Sequence, residues 1–324
     1  MKALVLIGGF GTRLRPLTYT VPKQLIPIAG KPMLYHVLDL IPPVVDEAVF
    51  ATGYKSDVIE RYVREHPPRV PVTLVPETEP LGTAGGMRNA GDSMSDPFLL
   101  LNSDVISGVD VAALIEFHRK NAAYGTMYLS EVEDTRPYGV AALDPQDRIE
   151  RFVEKPEPEA APSHWINAGV ALWRRAVLDR IPRGVAMSFE REIVPGILEL
   201  GVFGFRSPAY WEDAGTAERL LRAQRLLFDA GRGGPGKLPA GAFGKGPFAG
   251  ARGAVARGAS FGPYVTLDEG ATVEPGAHVE DSVVMAGARI SKGASVISSI
   301  VGPRAIVPEG REVRREVLGA GAEL

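Results

Sequence analysis

The feature that most narrows the fold is a six-residue beat in the last quarter of the chain. Val255, Phe261, Leu267, Val273 and Val279 stand six residues apart. After one five-residue step the series resumes at Val284, Ile290 and Val296, and after another at Val301, Val307 and Val313. Three residues beyond many of these positions comes a glycine: Gly258, Gly270, Gly276, Gly287, Gly293 and Gly310. One apolar residue per side and one small residue per corner describe a triangular β-solenoid. Its sides are short strands and its corners need tight backbone. At about 18 residues per coil the stretch makes three coils or slightly more, near the minimum for a stable stack. A flexible Gly/Ala-rich tail has no reason to hold such a register.

The preceding sequence has a different texture. Short apolar runs at 3–7, 47–51, 72–75, 98–101, 125–132 and 168–173 predict strands, and helical spacing appears at 33–40, 57–65, 85–91 and 111–121. A continuous run such as Leu4-Val5-Leu6-Ile7 suits a parallel strand covered on both faces. Strand and helix alternating in this way predict a doubly wound, mostly parallel α/β sheet. An amphipathic stretch at 218–230 closes it, and a Gly/Pro-rich stretch over 231–250 reads as a linker. The expected organisation is an α/β domain over 1–230, the linker, a solenoid over 251–314 and a tail over 315–324.

Bulk properties exclude several classes of function. The 324 residues carry a net charge of −3, so no bulk electrostatic pull toward nucleic acid or an anionic membrane is expected. Phosphate chemistry must therefore come from a few placed cations. Lysine is scarce, nine in all, which singles out any lysine beside a motif. With no cysteine, disulfides, thiolate metal sites and a cysteine nucleophile are excluded. No apolar run approaches the ~20 residues that span a bilayer, and no signal peptide is evident, so a cytoplasmic protein is expected.

The first predicted strand runs into Gly8-Gly9-Phe10-Gly11-Thr12-Arg13-Leu14-Arg15-Pro16. A dinucleotide fingerprint would need glycine where Leu14 stands, and a P-loop opening at Gly8 would need its second glycine where Arg13 stands. What remains is a glycine-rich turn whose N–H groups can approach a phosphate. Thr12 adds a hydroxyl, Arg13 and Arg15 add permanent charge that matches phosphate oxygens, and Lys23 follows ten residues after Arg13.

Extended through Pro22-Lys23, Leu25-x-Pro27 and Lys31-Pro32, this string resembles the opening of the nucleotide-sugar pyrophosphorylases, the sugar-1-phosphate nucleotidylyltransferases. Further segments match that family in order. They are Glu77-Thr78-Glu79-Pro80-Leu81-Gly82-Thr83-Ala84-Gly85-Gly86, Leu101-Asn102-Ser103-Asp104, Tyr138-Gly139-Val140, Phe152-Val153-Glu154-Lys155-Pro156, Ile166-Asn167-Ala168-Gly169 and Trp211-Glu212-Asp213-Ala214-Gly215-Thr216. The resemblance implies a Rossmann-like domain followed by a left-handed parallel β-helix of hexapeptide repeats. It implies nucleotide contacts from Leu6, Gly8, Gly9, Gly11, Thr12, Glu77, Gly82, Thr83 and Asn102, and sugar contacts from Gly139, Glu154, Lys155 and Asn167. Arg13 and Lys23 would offset charge on the pyrophosphate, Lys155 would hold the attacking phosphate, and Asp104 with Asp213 would bind Mg²⁺. Thr83 is also expected to cap the helix that follows it.

The expected reaction transfers a nucleotidyl group from a nucleoside triphosphate to a sugar 1-phosphate. The wording of these motifs and of Ser188-Phe189-Glu190-Arg191-Glu192 resembles the mannose-1-phosphate guanylyltransferases. Glu77 adds a physical reason. A carboxylate only accepts hydrogen bonds, and guanine presents N1–H and N2–H₂ as adjacent donors. Glucose 1-phosphate with dTTP or UTP is the alternative, and a non-catalytic relative that binds nucleotide sugar is another. Acyl transfer in the solenoid would need a histidine base. Only His278 lies in the repeat, with no partner evident in the sequence. The solenoid is therefore expected to serve assembly into a homo-oligomer or regulation. His36, His66, His118 and His164 lack metal-like spacing, and Trp165, Trp173 and Trp211 read as packing residues.

Overall fold

The computed structural model describes residues 1–233, 238, 241–244, 246–250, 254–255 and 258–324. It divides into two compact units: Met1–Gly9 with Val37–Trp211, and Phe10–His36 with Glu212–Leu324. The division differs from a cut near residue 230. Residues 10–36 and the last helix group with the solenoid rather than with the sheet.

In the first unit nine strands form one mixed sheet. They are β1 (Lys2–Ile7), β2 (Glu47–Thr52), β3 (Val72–Pro76), β4 (Phe98–Asn102), β5 (Gly125–Glu131), β6 (Gly139–Leu143), β7 (Ile149–Glu154), β8 (Trp165–Trp173) and β9 (Val202–Arg206). The order is β7-β6-β8-β4-β1-β2-β3, with β5 on β8 and β9 on β5. Strands β3, β2, β1 and β4 are mutually parallel. Strand β8 runs antiparallel to β4, β5 and β6, and β7 to β6, so the other half is mostly antiparallel, with β9 parallel to β5. Leu4, Val49, Phe98 and Leu100 are buried, as expected for strands covered on both faces. Helix α1 (Met33–Leu38) comes between β1 and β2 in the chain, and helix α2 (Ser56–Glu65) presents Ile59 and Val63 to the interior. Helix α3 (Gly82–Ala90) presents Ala84 and Met87. Helix α4 (Val111–Lys120) is capped by Asp110, which accepts from the Ala113 N–H at 3.0 Å.

The second unit contains the solenoid and helix α5 (Ala217–Asp229). The beat from Phe261 to Val313 is buried throughout. Phe261 pairs in register with Val279, Val279 with Val296 and Val296 with Val313, in parallel sheets on three sides. The first of these steps is eighteen residues and the next two are seventeen, so each five-residue interval in the sequence shortens a coil by one residue. The six corner glycines all have positive φ, from +66° at Gly287 to +89° at Gly258, where a side chain is strained. Coiling begins earlier and ends later than expected. Phe243–Gly244 pairs with Ser260–Phe261, inside the stretch read as linker, and Val317–Leu318 pairs with Ile300–Val301, inside the expected tail. Both pairings extend the stack by a further strand at its ends. The side chain of Val255, and Gly234, Pro235 and Gly236 of the linker, lie outside the described residues. No helix among the described residues is long and apolar enough to cross a membrane.

Candidate active site

The order β3-β2-β1-β4 places a topological switch between β1 and β4. The chain leaves β1 outward through β2 and β3, then returns to the other side of β1. Crevices at such points, at the carboxyl ends of strands, bind ligands in open α/β sheets. Leu6 and Asn102 are register partners across that switch, and the Ser103 N–H donates to the Leu6 carbonyl at 3.3 Å. Asp104 follows, half-buried. Gly8 and Gly9 leave β1 exposed, and a Cβ at either would meet nothing within 4 Å. Gly9 is therefore needed for its φ of +90°, not for space.

Glu77 follows β3, and its N–H donates to Thr52 at the end of β2 at 2.7 Å. Its Oε2 accepts the Leu81 N–H at 3.3 Å, and a Cβ on Gly86 would stand 2.5 Å from its Oε1. The loop thus closes on its own acid. Burial pushes the Glu77 carboxyl up, and the Leu81 N–H partly offsets this. Gly82 has φ +69°, and a Cβ there would stand 2.5 Å from the Met187 carbonyl oxygen. That oxygen accepts the Ala84 N–H at 3.0 Å, so the small residues of this loop admit the segment around Met187. Thr83 is not the helix cap. Leu81 holds the cap position, and no side chain bonds there. Already inside the helix, Thr83 turns its hydroxyl to the crossing segment. It donates to Glu190 Oε2 at 2.7 Å and accepts the Phe189 N–H at 2.8 Å.

The mostly antiparallel half collects the residues expected on the sugar side. Glu154 and Gly139 are register partners, and a Cβ on Gly139 would stand 2.8 Å from Glu154 Oε2. Burial raises the Glu154 carboxyl, and the Glu190 carboxylate raises it further, while Lys155 and Arg191 pull it down. Lys155 has φ +52°, a cost for a side-chain-bearing residue. Its N–H donates to the Tyr138 carbonyl at 2.9 Å, and its Nζ lies 3.8 Å from Glu154 Oε1. Asn167 Oδ1 accepts the Gly169 N–H at 3.1 Å. Gly169 has φ +74°, and a Cβ there would stand 2.9 Å from Asn102 Nδ2, so this glycine lets the strand of Asn167 close on the Asn102 amide. The Trp211 indole donates to the Ala168 carbonyl at 3.0 Å and meets the Tyr138 ring edge-on at 5.2 Å.

The second unit carries Gly11, Thr12, Arg13, Lys23 and Asp213. Gly11 has φ +60°, and a Cβ there would stand 3.6 Å from Lys23 Cβ. Its carbonyl accepts the Thr18 hydroxyl at 2.8 Å. Buried Leu14 and Leu17 pin the segment while Thr12 and Arg13 stay exposed. Arg15 lies 5.0 Å from the Tyr19 ring centroid. A Cβ on Gly215 would run into the Arg13 guanidinium and stand 2.8 Å from Asp213 Oδ1, so that glycine brings cation and acid to one spot. Asp213 Oδ2 accepts from Arg219 Nη1 of α5 at 3.3 Å.

Sequence reasoning missed Glu190, Arg219 and Gly215 as parts of this arrangement. Glu190 and Gly215 had a signal, since each lies inside a quoted motif. His278 does have partners: Nδ1 is 2.9 Å from Ser260 Oγ and Nε2 is 3.3 Å from Glu280 Oε2. Ser260 is a register neighbour that a linear sequence hides, whereas Glu280 stands two residues on in the same strand. His118 is buried against the Thr126 hydroxyl, and burial lowers its pKa to about 4. Trp173 is fully buried and packs edge-on against Phe189, as a packing residue should. Among the described residues no group of three or more His, Asp or Glu could hold a metal ion.

The family described as Nucleotidyl transferase matches residues 2–229, and the GMPPB C-terminal domain matches residues 248–324. The chain is 36% identical to the mannose-1-phosphate guanylyltransferase of Mycobacterium tuberculosis, over 88% of this chain and 83% of that protein. It is 37% identical to mannose-1-phosphate guanylyltransferase 1 of Arabidopsis thaliana, over 89% and 82%. Among solved structures it is similar to HddC from Yersinia pseudotuberculosis complexed with GMP-PN. That likeness has 27% identity and a TM-score of 0.59 and covers 69% of this chain and 98% of that one. Sheet, solenoid and sequence agree, and the chain belongs to the nucleotidyl transferase family.

Proposed function

We propose that this protein joins GTP to mannose 1-phosphate, giving GDP-mannose and pyrophosphate. The observation that carries the choice of base is Glu77, a carboxylate at the head of the loop that starts α3, where adjacent N–H donors of guanine suit an acceptor-only group. The names of the relatives support the same base and sugar.

An oxygen of the sugar phosphate attacks the α-phosphorus in line, the bond from that phosphorus to the bridging oxygen breaks, and pyrophosphate leaves. The nucleophile is already anionic near neutral pH, so positioning and charge stabilisation do the work. Lys155 holds the attacking phosphate. Arg13 and Lys23 take up charge on the pyrophosphate. Glu154 and Asn167 accept and donate hydrogen bonds to sugar hydroxyls. Leu6, the backbone of Gly8, Gly9 and Gly11, the Thr12 hydroxyl, Gly82, Thr83 and Asn102 serve the nucleotide.

Enzymes of this family generally depend on a divalent metal. Asp104 and Asp213 are the acids we assign to Mg²⁺. A donor set of two carboxylates fits that ion, which completes its shell with phosphate oxygens and water. When bound it supplies positive charge to the phosphate oxygens. We also assign the solenoid to self-association. Light scattering should give a multiple of 34.7 kDa, and a monomer would refute that assignment.

Pyrophosphate release from four nucleoside triphosphates, each with mannose and glucose 1-phosphates, tests the reading. GTP with mannose 1-phosphate should lead. Equal or better use of dTTP would defeat the guanine assignment, and no release with any pair would defeat the enzyme assignment.

A further inference from the structure

Helix α5 follows the Asp213 loop and carries polar groups along its whole length. Thr216 caps it, accepting the Arg219 N–H at 3.3 Å. Its first turns hold the acidic loop: Arg219 bonds Asp213, and Arg222 Nη1 lies 3.4 Å from Glu212. Its later turns hold the solenoid. Arg225 Nε donates to Asp281 Oδ1 at 2.7 Å, and its Nη2 reaches the other carboxylate oxygen, in a bidentate pair. Ser298, from the next coil, donates to the same acid at 2.8 Å. The Arg225 side chain turns outward while Asp281 is only 9% exposed.

Between these two grips lies Gln224, with no exposed surface. Its Nε2 donates to the Tyr264 carbonyl at 2.7 Å. Its Oε1 accepts the Thr266 hydroxyl at 2.6 Å and the Ala29 N–H at 3.3 Å. Ala29 sits in the tight turn between Pro27–Ile28 and Lys31–Pro32, just beyond Lys23, with φ +47°. One buried amide therefore ties together the solenoid, the helix that grips Asp213 and the segment that carries Lys23. A second contact comes from the solenoid's far end, where a Cβ on Gly319 would stand 3.4 Å from Pro16.

We infer that Gln224, with the Thr266 hydroxyl behind it, is a positioning residue for the pyrophosphate-handling cations. The solenoid is thereby a working part of that half of the site and not only an assembly module. The inference rests on the assignment of Arg13 and Lys23 to pyrophosphate. A fully buried amide with three partners tolerates no nearby alternative arrangement, since each lost partner leaves a polar group unsatisfied. It holds Ala29 in place against the solenoid, and displacements of about 1 Å at reacting groups cost up to ~100-fold in rate.

The test uses the full chain with Gln224→Met and Thr266→Val, both close in size to the residue replaced. Pyrophosphorolysis of GDP-mannose gives separate KM values for pyrophosphate and nucleotide sugar, and calorimetry gives pyrophosphate affinity without turnover. Gln224→Met should raise the pyrophosphate KM and Kd by about tenfold and Thr266→Val by about threefold, with the GDP-mannose KM unchanged. Should Gln224→Met fail to fold, Thr266→Val decides alone. A lowered Tm with both pyrophosphate constants unchanged overturns the inference. Arg13→Ala separates the two layers. If that variant keeps its pyrophosphate KM, the assignment beneath the inference fails. If it loses pyrophosphate while the two positioning variants keep it, only the inference fails.

Discussion

In the first unit the acids we assign to base and sugar are held by burial and by few partners. Glu77 has one backbone donor and Glu154 a lysine at 3.8 Å, and both carboxyls are pushed up. In the second unit the acids are matched to arginines of a single helix: Glu212 to Arg222, Asp213 to Arg219, Asp281 to Arg225. Under the assignments proposed above, the contrast separates recognition from charge handling. A half-buried, lightly paired carboxylate discriminates among neutral donors on a base or a sugar. Acids paired to arginines of one helix have their geometry set by charge, and such a preorganised arrangement suits phosphate charge without reorganising.

The largest expected effect breaks the second unit. Gly215→Ala puts a Cβ against the Arg13 guanidinium and 2.8 Å from Asp213 Oδ1. Turnover should fall by roughly a hundredfold, as for loss of one charge-stabilising contact, with little change in the mannose 1-phosphate KM. Steady-state kinetics at saturating sugar phosphate measures it, and near-normal turnover would remove Arg13 from the charge-handling role.

Glu154→Gln sharpens the comparison from the other side. The mannose 1-phosphate KM should rise about tenfold, the worth of one charged hydrogen bond, with turnover less affected. The sign of its pH dependence follows from the raised carboxyl. Above the folded pKa the ionised form carries a burial cost that the unfolded chain does not. Stability is therefore fuller below the unfolded pKa and falls as pH rises through the folded one. In the wild type the sugar phosphate KM should rise as pH falls toward that raised value, and the Gln variant should lose this dependence. At neutral pH the variant should also melt at or above the wild-type temperature, a trade of stability for recognition. A lower Tm with unchanged KM would contradict both halves of the argument.

The smallest effect belongs to the solenoid. Gly293→Ala forces a side-chain-bearing residue to φ +67°, with open space around the new methyl. The cost should be about 1–2 kcal/mol, seen as a lower Tm with unaltered kinetic constants. A changed pyrophosphate KM in this variant would mean that any loosening of the coils reaches the site, and would blunt the specific role given to Gln224.

The solenoid was legible because its repeat is written along the chain: each of Phe261, Val279, Val296 and Val313 announces the next. The parallel strands were legible from runs such as Leu4–Ile7. Strands β6, β7 and β9 were not. In β7, Ile149 and Phe152 are buried while Glu150 and Arg151 between them are exposed, so the bulge there destroys the alternation that marks a strand. The site residues were legible as motifs, yet their supports were not. Nothing near Gln224 in sequence points to Ala29, 195 residues away, or to Thr266. Thr83 misled because a threonine before an apolar helix is read as a cap, whereas a segment a hundred residues later claims its hydroxyl.

That buried amide also has a consequence for the order of synthesis. The ribosome makes the turn at Ala29 early, but the amide that holds it and the hydroxyl behind that amide emerge only after residues 224 and 266. Through most of translation the lysine-bearing segment lacks the neighbours that fix it, while the sheet of the first unit can already form. On the assignments proposed above, a nascent chain would gain the residues given to base and sugar before it fixes those given to phosphate, and activity would await the coils.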